Sequence, residues 1–261
     1  MRKSYKRLLS KINLSILLFG LLVAPCFGQT ERIQDFKDTD FNYRVNNYFR
    51  TVGSNCISEV FDYDCFIFQF TTIINSNPND PAAYYIRGQF SIFRQPEQSA
   101  LDFEKVLEFS PKYMLAYVMR ATISIRKKEY DQAIKILTQA IELDPKYANA
   151  YTNRGFAYFE QGDFDQAFTD YDKVIELQPK NGAGYVGRAM IYSRQGKFDK
   201  AVEYYGKAIE VSPYDWHNFY KRGYLYWQQG EITKARSDCQ TAKELQPVRN
   251  KSKGAGTYCS L

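Results

Sequence analysis

The chain has 261 residues, of which 44% are hydrophobic, 16% aromatic and 25% charged. This composition excludes a disordered chain, which would hold fewer aromatic residues, and a collagen-like chain, which would hold far more glycine and proline. The single histidine, His217, argues against multi-histidine metal sites and histidine-dependent catalytic pairs, so we expect no metal ion and no other cofactor.

The positive charge of the chain is concentrated at its N-terminus. The formal net charge is +6, but residues 1–28 contain several lysines and arginines and no acidic residue, so the remainder is nearly neutral. A nearly neutral surface lacks the basic footprint with which proteins neutralise nucleic-acid phosphates. We therefore expect no nucleic-acid partner.

Residues 1–28 have the pattern of a secretory signal peptide, in which a basic start precedes an apolar run, here residues 14–24. This run is shorter than the roughly 20 residues that cross a bilayer. Two alternatives stay open: an uncleaved anchor over residues 12–27, and a lipid on Cys26, although Pro25 stands where a lipoprotein signal has a small residue. We predict an exported protein, periplasmic or secreted, that is held at a membrane only in these alternatives.

Four cysteines remain after residue 28: Cys56, Cys65, Cys239 and Cys259. An even number of cysteines in an exported chain indicates disulfides. We predict the bonds Cys56–Cys65 and Cys239–Cys259, because the two pairs lie at opposite ends of the intervening region. The alternative is four buried free thiols. Neither spacing is a CxxC motif, so the sequence does not indicate zinc or thioredoxin-like chemistry.

Between these cysteine pairs, several residue types recur with a period of 34 residues. The columns are Pro111, Pro145, Pro179, Pro213 and Pro247; Ala133, Ala167, Ala201 and Ala235; Gly162, Gly196 and Gly230; and Tyr117, Tyr151, Tyr185 and Phe219. Many independent columns with one period indicate an internal repeat.

Each unit of this repeat predicts two helices. In residues 148–181, Tyr151, Gly155 and Tyr158 lie at i, i+4 and i+7, which is one face of a first helix. A second apolar stripe follows the turn and ends before Pro179, which cannot continue a helix. One such pair cannot bury its own apolar faces, whereas stacked pairs can, so the sequence predicts an all-α solenoid.

These residues resemble the tetratricopeptide repeat (TPR) family, whose pattern is an aromatic residue, a small residue, tyrosine, glycine, alanine and proline. The resemblance implies a right-handed superhelix of antiparallel helix pairs. The predicted parts are the signal peptide at 1–28, an N-terminal helical cap with a degenerate repeat at 29–80, five repeats at 81–113, 114–147, 148–181, 182–215 and 216–249, and a C-terminal tail at 250–261.

An arginine precedes the small residue of every first helix, at Arg87, Arg120, Arg154, Arg188 and Arg222. Aspartates stand at similar offsets in three second helices, so we predict the pairs Arg87–Asp102, Arg154–Asp170 and Arg222–Asp238. The alternative is that the arginine stems pack while the charged heads reach water.

The resemblance also implies that a second stripe on each first helix lines a concave groove where partner peptides bind. The predicted groove residues are Tyr85, Asn149, Thr152, Phe156, Phe159, Met190, Arg194, His217, Tyr220, Tyr224 and Trp227. The aromatic members are candidate anchors, since interface energy concentrates in Trp, Tyr and Arg. For any one of them, the alternative is packing against the neighbouring repeat.

We predict a non-catalytic scaffold that binds a protein or peptide, in extended or helical form, in this groove. The alternative function is a membrane-held assembly factor similar to the TPR lipoproteins of bacterial envelopes. An enzyme is not indicated, because no P-loop, GxGxxG or HExxH motif is present and His217 has no Ser or Cys near it in sequence. Some TPR domains hold a C-terminal carboxylate with a Lys/Asn/Arg clamp, but only Asn153 fits that clamp here.

Overall fold

The computed structural model describes residues 43–45, 47, 48, 63–246 and 259 of the chain. The predicted signal peptide with Cys26, the cysteine Cys56 and all of the predicted tail except Cys259 lie outside the described residues. Their structural predictions therefore stay predictions.

Residues 63–246 form eleven α-helices and contain no strand. The helices are α1 (Tyr63–Ser76), α2 (Pro81–Ser91), α3 (Pro96–Phe109), α4 (Met114–Arg126), α5 (Tyr130–Leu143), α6 (Ala148–Gln161), α7 (Phe164–Leu177), α8 (Gly182–Arg194), α9 (Phe198–Val211), α10 (Trp216–Gln228) and α11 (Ile232–Leu245). The predicted all-α fold is confirmed. None of these helices is long and apolar enough to span a bilayer.

The helices belong to two units, divided between Asp163 and Phe164. In the N-terminal unit, which contains α1 to α6, each helix packs against the next, and α4 also packs against α6. In the C-terminal unit, which contains α7 to α11, each helix again packs against its successor. Short loops between packed neighbours give antiparallel helix pairs within each unit.

The types of residue that form the core of the N-terminal unit change along the chain. Near α1 and α2 it is aromatic: Phe66 stacks on Phe90 with ring centroids 4.3 Å apart, and both are buried. Between α4, α5 and α6 it consists largely of small and aliphatic residues, including Ala121, Ala133 and Leu137, which are inaccessible to solvent. Small side chains let helix axes approach closely, which explains the alanine column that begins at Ala133.

Asp80 fastens the start of this unit to residues that precede α1. Its buried carboxylate accepts a hydrogen bond from the backbone N–H of Ala82, at 3.0 Å, and thereby caps α2. It also accepts the hydroxyl of Tyr48, whose ring meets Phe70 edge-on. Burial and this hydrogen bond raise the pKa of Tyr48 to about 12. The described part of the predicted N-terminal cap is thus held by a buried polar contact.

Three turns between paired helices end on a glycine with positive φ: Gly162 at 90°, Gly196 at 73° and Gly230 at 79°. This left-handed conformation closes the end of the preceding helix and favours glycine, which has no Cβ. Lys128 occupies the same position in its repeat with φ of 62°. The turn between α4 and α5 is therefore strained.

The tyrosine column fixes the loop that precedes each first helix. The hydroxyls of Tyr117, Tyr151 and Tyr185 donate to the carbonyls of Pro111, Pro145 and Pro179, at 3.1, 3.2 and 3.3 Å. Each bond ties the proline loop to the first turn of the helix that follows. The last repeat has Phe219 in this column and cannot form the bond.

A disulfide joins Cys239 of α11 to Cys259, with Cα atoms 5.6 Å apart, as the sequence predicts. Cys239 is buried, and the ammonium of Lys243 donates to the carbonyl of Cys259 at 2.8 Å. These contacts anchor Cys259 to the last helix. Cys65 is also disulfide-bonded, while its predicted partner Cys56 lies outside the described residues.

Candidate functional site

The predicted groove residues lie on α2, α6, α8 and α10, which with α4 are the first helices of their pairs. The second helices are α3, α5, α7, α9 and α11. The structure gives the predicted groove residues different degrees of exposure, and that exposure decides which of them offer a surface.

Three predicted groove residues, Tyr85, Thr152 and Phe159, are buried, so they offer no surface to a partner. Tyr85 packs against Phe103 and Tyr113 and accepts a hydrogen bond from the Gln89 side-chain amide at 2.6 Å. Burial raises the pKa of Tyr85 to about 12. The groove prediction is corrected here, because these positions border the buried stripe and neighbouring side chains close over them.

Two predicted groove residues of the N-terminal unit, Asn149 and Phe156, are half-buried on α6. The Phe156 ring stacks on the buried ring of Phe159, with centroids 6.2 Å apart. The buried Phe159 ring is therefore a packing surface for the ring of Phe156. Of the two rings, only Phe156 retains a surface for contact.

The C-terminal unit carries the most exposed aromatic surface of the predicted set, on α10. Tyr224 and Trp227 are 39% and 38% exposed, and their rings stack with centroids 5.9 Å apart. Trp216 stacks on His217 at 3.7 Å and meets Tyr220 edge-on at 6.3 Å. We call these five residues the α10 aromatic face. Trp216 was not predicted, although it opens the same helix one residue before His217.

On the neighbouring first helix of this unit, α8, the predicted residues are Met190 and Arg194. Met190 is half-buried and Arg194 is exposed. Close to Met190 the helix has glycine at 187, where a Cβ would lie 2.3 Å from the ring of Tyr171. Helix α8 therefore packs closely against α7 at this position.

The geometry around His217 is that of a helix cap. Asp215 precedes α10 and accepts the backbone N–H of His217 at 3.1 Å, and the same oxygen lies 3.0 Å from its Nδ1. N-terminal caps of this kind satisfy the first N–H groups of a helix. The Asp215–His217 contact is thus explained by capping without a catalytic role.

The arginine column is paired, but in two directions. Arg87 forms two hydrogen bonds to Asp102, at 2.9 and 2.6 Å, and Arg222 forms two to Asp238, both at 2.8 Å. Both partners lie on the second helix of the same pair, so these two predictions are confirmed. Arg154 donates to Thr138 at 3.0 Å, and its predicted pair with Asp170 stays a prediction.

The other two arginines pair backwards, with the preceding second helix. Arg120 binds Glu104 and Arg188 binds Asp172, in each case 16 residues earlier in the chain. The forward positions of these two arginines hold Ile136 and Tyr204. Because neither residue is a carboxylate, each of these arginines pairs with an acid on the preceding second helix instead. The sequence analysis did not predict this alternation.

A cavity of about 420 Å³ lies beside α1 in the N-terminal unit and is lined in part by Asp64, Arg87 and Gln98. These polar groups already have partners within the unit. Asp64 binds Arg94, and the Gln98 amide donates to Asp102, which also binds Arg87. The cavity wall is therefore part of the structural network of ion pairs.

Family models match much of the repeat region. A TPR repeat model matches residues 125–162, and tetratricopeptide repeat models match residues 148–181, 183–215 and 217–249. Comparison with curated protein sequences gives no significant match.

Solved structures of similar fold include three that cover most of the chain. MamA is 26% identical with a TM-score of 0.53, over 64% of this chain and 94% of its own. Yeast Tom70 is 22% identical with a TM-score of 0.65, over 83% of this chain and 46% of its own. A tetratricopeptide repeat protein from Parabacteroides merdae is 18% identical with a TM-score of 0.62, over 81% and 82%. The matched segments between residues 125 and 249 are therefore tetratricopeptide repeats.

Proposed function

We propose that this chain is an exported, non-catalytic scaffold that binds a protein or peptide partner on the surface of its first helices. The observation that carries the proposal is the α10 aromatic face. Tyr224 and Trp227 hold large apolar rings partly in water, stacked on one another on a helix of the kind that lines the groove of TPR proteins. Burying such rings is favourable in proportion to the apolar area removed from water.

The arrangement suits binding better than catalysis. Tyr and Trp supply large contact areas at low cost in side-chain entropy, and they dominate the energetics of protein interfaces. Mutual stacking fixes the two rings in advance, so little further ordering is needed when a partner arrives. The tetratricopeptide repeats support the proposal, because proteins of this family bind protein or peptide partners.

Export is proposed on two features. Residues 1–28 have the composition of a signal peptide. The Cys239–Cys259 disulfide fits an oxidising compartment, since disulfides are rare in reducing ones. The second candidate function is a membrane-held assembly factor, and it depends on a lipid attached to Cys26. N-terminal sequencing with a mass measurement of the exported protein separates the two, because a lipid on Cys26 would leave Cys26 as a modified first residue.

The binding proposal is tested by comparing three forms of the protein in pull-downs from envelope and secreted extracts. The forms are the natural sequence, the triple variant Tyr220→Ala, Tyr224→Ala, Trp227→Ala, and the control Tyr214→Ala. Tyr214 is 83% exposed and lies in the loop before α10, outside the aromatic face. Truncating one interface anchor commonly costs about 2 kcal/mol or more, roughly thirtyfold in affinity.

We expect a partner that the natural sequence and the Tyr214 control recover equally and that the triple variant loses. Circular dichroism must show that the triple variant keeps its helical content and melting temperature. Equal recovery by all three forms would contradict binding on the α10 aromatic face.

A further inference from the structure

The second helices of the C-terminal unit share one position that faces the first helix after it. In α7 and α9 this position holds Tyr171 and Tyr205. A Cβ on Gly187 of α8 would lie 2.3 Å from the Tyr171 ring, and Tyr205 belongs to one buried cluster with Leu225 of α10. In α11 the same position of the repeat, 34 residues after Tyr205, holds Cys239.

A disulfide takes the place of this helix contact in α11. Cys239 is only 5% exposed and is bonded to Cys259, 20 residues later in the chain. One turn further along, α11 has Lys243 where α7 and α9 have Ile175 and Ile209. The Lys243 ammonium donates a hydrogen bond to the carbonyl of Cys259 at 2.8 Å. Cys259 is therefore attached to the face of α11 that corresponds to the helix-packing face of α7 and α9.

Helix α11 in turn holds α10, which carries the aromatic face. Asp238, directly before the disulfide-bonded cysteine, accepts two hydrogen bonds from Arg222 of α10, both at 2.8 Å. A Cβ on Gly223 would lie 3.1 Å from the Cβ of Asp238, so the two helices are in close contact here. Arg222 and Gly223 directly precede Tyr224 in the sequence of α10. The residues that fasten α10 to α11 are thus neighbours of those that form the aromatic face.

The support that α11 gives to α10 depends on how rarely α11 opens. Among the described helices, α11 packs mainly against α10, whereas α10 packs against both α9 and α11. Helices at the end of a repeat array open more easily than central ones, because they have a neighbour on one side only. A cross-link lowers the conformational entropy of the opened chain, so the disulfide-bonded α11 opens less often than the reduced one.

We propose that partner binding on the α10 aromatic face depends on the Cys239–Cys259 disulfide, so that the chain binds its partner tightly only after this bond has formed. The inference rests on the proposed function and adds to it a control by redox state. In a reducing compartment the bond is absent, and α11 gives α10 less support.

The step that switches binding on is thiol–disulfide exchange. The two thiols, Cys239 and Cys259, lose two protons and two electrons as the sulfur–sulfur bond forms. An external disulfide accepts them and leaves as two thiols. Reduction by an external dithiol reverses the step.

The test combines hydrogen exchange with peptide binding on the full-length protein. Random 12-residue peptides are selected by display on the oxidised protein, and those that lose affinity for the triple variant Tyr220→Ala, Tyr224→Ala, Trp227→Ala are kept as probes. Their affinity is measured by fluorescence anisotropy, and the exchange of backbone amides in α10 and α11 is measured by mass spectrometry.

We expect Cys259→Ser to speed amide exchange in α10 and α11 about tenfold or more. It should weaken the probe peptides about tenfold, because the fraction of protein with an ordered α10 falls by that factor. Reduction of the natural sequence with dithiothreitol should have the same effects, and reoxidation with glutathione disulfide should reverse them. The matched control Cys65→Ser removes the disulfide of α1 in the other unit and should change neither quantity by more than about twofold.

The outcomes separate this inference from the proposed function. Unchanged exchange in α10 of Cys259→Ser would overturn the inference and leave the binding function standing. Faster exchange with unchanged peptide affinity, or an equal loss of affinity in Cys65→Ser, would do the same. A selection that enriches no peptide dependent on the aromatic rings would overturn the proposed function and with it this inference.

Discussion

Replacing Gly187 with alanine should destabilise the C-terminal unit, because α8 lies too close to α7 for a side chain at this position. A Cβ on Gly187 would lie 2.3 Å from two ring carbons of Tyr171. Ordinary contacts between carbon atoms are about 3.5 to 4.0 Å long, so one helix or the ring must move by more than about 1 Å. Tyr171 is only 2% exposed, so its ring cannot swing aside into solvent.

Two terms set the size of this effect. Overpacking a tight core costs about 1 to 3 kcal/mol. Alanine is more favourable than glycine inside a helix by about 1 kcal/mol, which offsets part of the cost. We therefore expect Gly187→Ala to lower the free energy of unfolding by up to about 2 kcal/mol.

Gly206 in α9 provides a matched control. A Cβ there would meet only the guanidinium of Arg222, at 3.8 Å, an ordinary contact. Gly206→Ala should therefore gain only the higher helix propensity of alanine and raise the free energy of unfolding by about 0.5 to 1 kcal/mol. Urea unfolding followed by circular dichroism measures both variants. Gly187→Ala proving as stable as Gly206→Ala would refute the close approach of α7 and α8.

Three further substitutions test particular contacts by thermal or urea unfolding. Lys128→Gly should stabilise the protein by about 1 kcal/mol, because glycine adopts the positive φ of this turn without a Cβ penalty; unchanged or lower stability would contradict the strain. Asp102→Ala should cost about 3 to 5 kcal/mol, because it leaves the buried charge of Arg87 without its carboxylate. Asp172→Ala, at a half-exposed pair, should cost less than about 1 kcal/mol, and equal losses at the two sites would contradict this ranking. Cys259→Ser should cost about 3 kcal/mol through loss of the disulfide, and an unchanged unfolding midpoint would show that the bond does not support α11.

The helix pairs could be predicted from the sequence because each column of the repeat occupies the same environment in every unit. The alanine at 133, for example, recurs at 167, 201 and 235, and all four residues are buried. Proline and glycine mark the loops at a constant spacing. These signals are local and repeated, so a single sequence contains several independent copies of each.

The surface was harder to predict because residue type does not distinguish a groove residue from a core residue at the border between them. Tyr85 and Phe159 are buried, whereas Tyr224 and Trp227 are partly exposed, and all four were predicted as groove residues. The difference arises from which neighbouring side chains cover each ring, and helical spacing does not contain that information.

The arginine column could have been predicted more completely. Glu104 and Asp172 stand 16 residues before Arg120 and Arg188, the mirror image of the forward spacing of Asp238 from Arg222. Searching for a carboxylate on both sides of each arginine would have found these pairs. The physical reason is that α4 packs against both α3 and α5, and α8 against both α7 and α9, so the arginine of each can reach either neighbour.

The most direct test of the account is site-specific photo-crosslinking from the α10 aromatic face. A benzophenone-bearing phenylalanine analogue is placed at Tyr224 in the full-length protein, and separately at Tyr214 as the exposed control. Because benzophenone reacts only with groups in contact, we predict a discrete protein adduct from position 224 and none from position 214. Adducts of equal yield from both positions, or an adduct from position 214 alone, would contradict the claim that the first helices bind the partner.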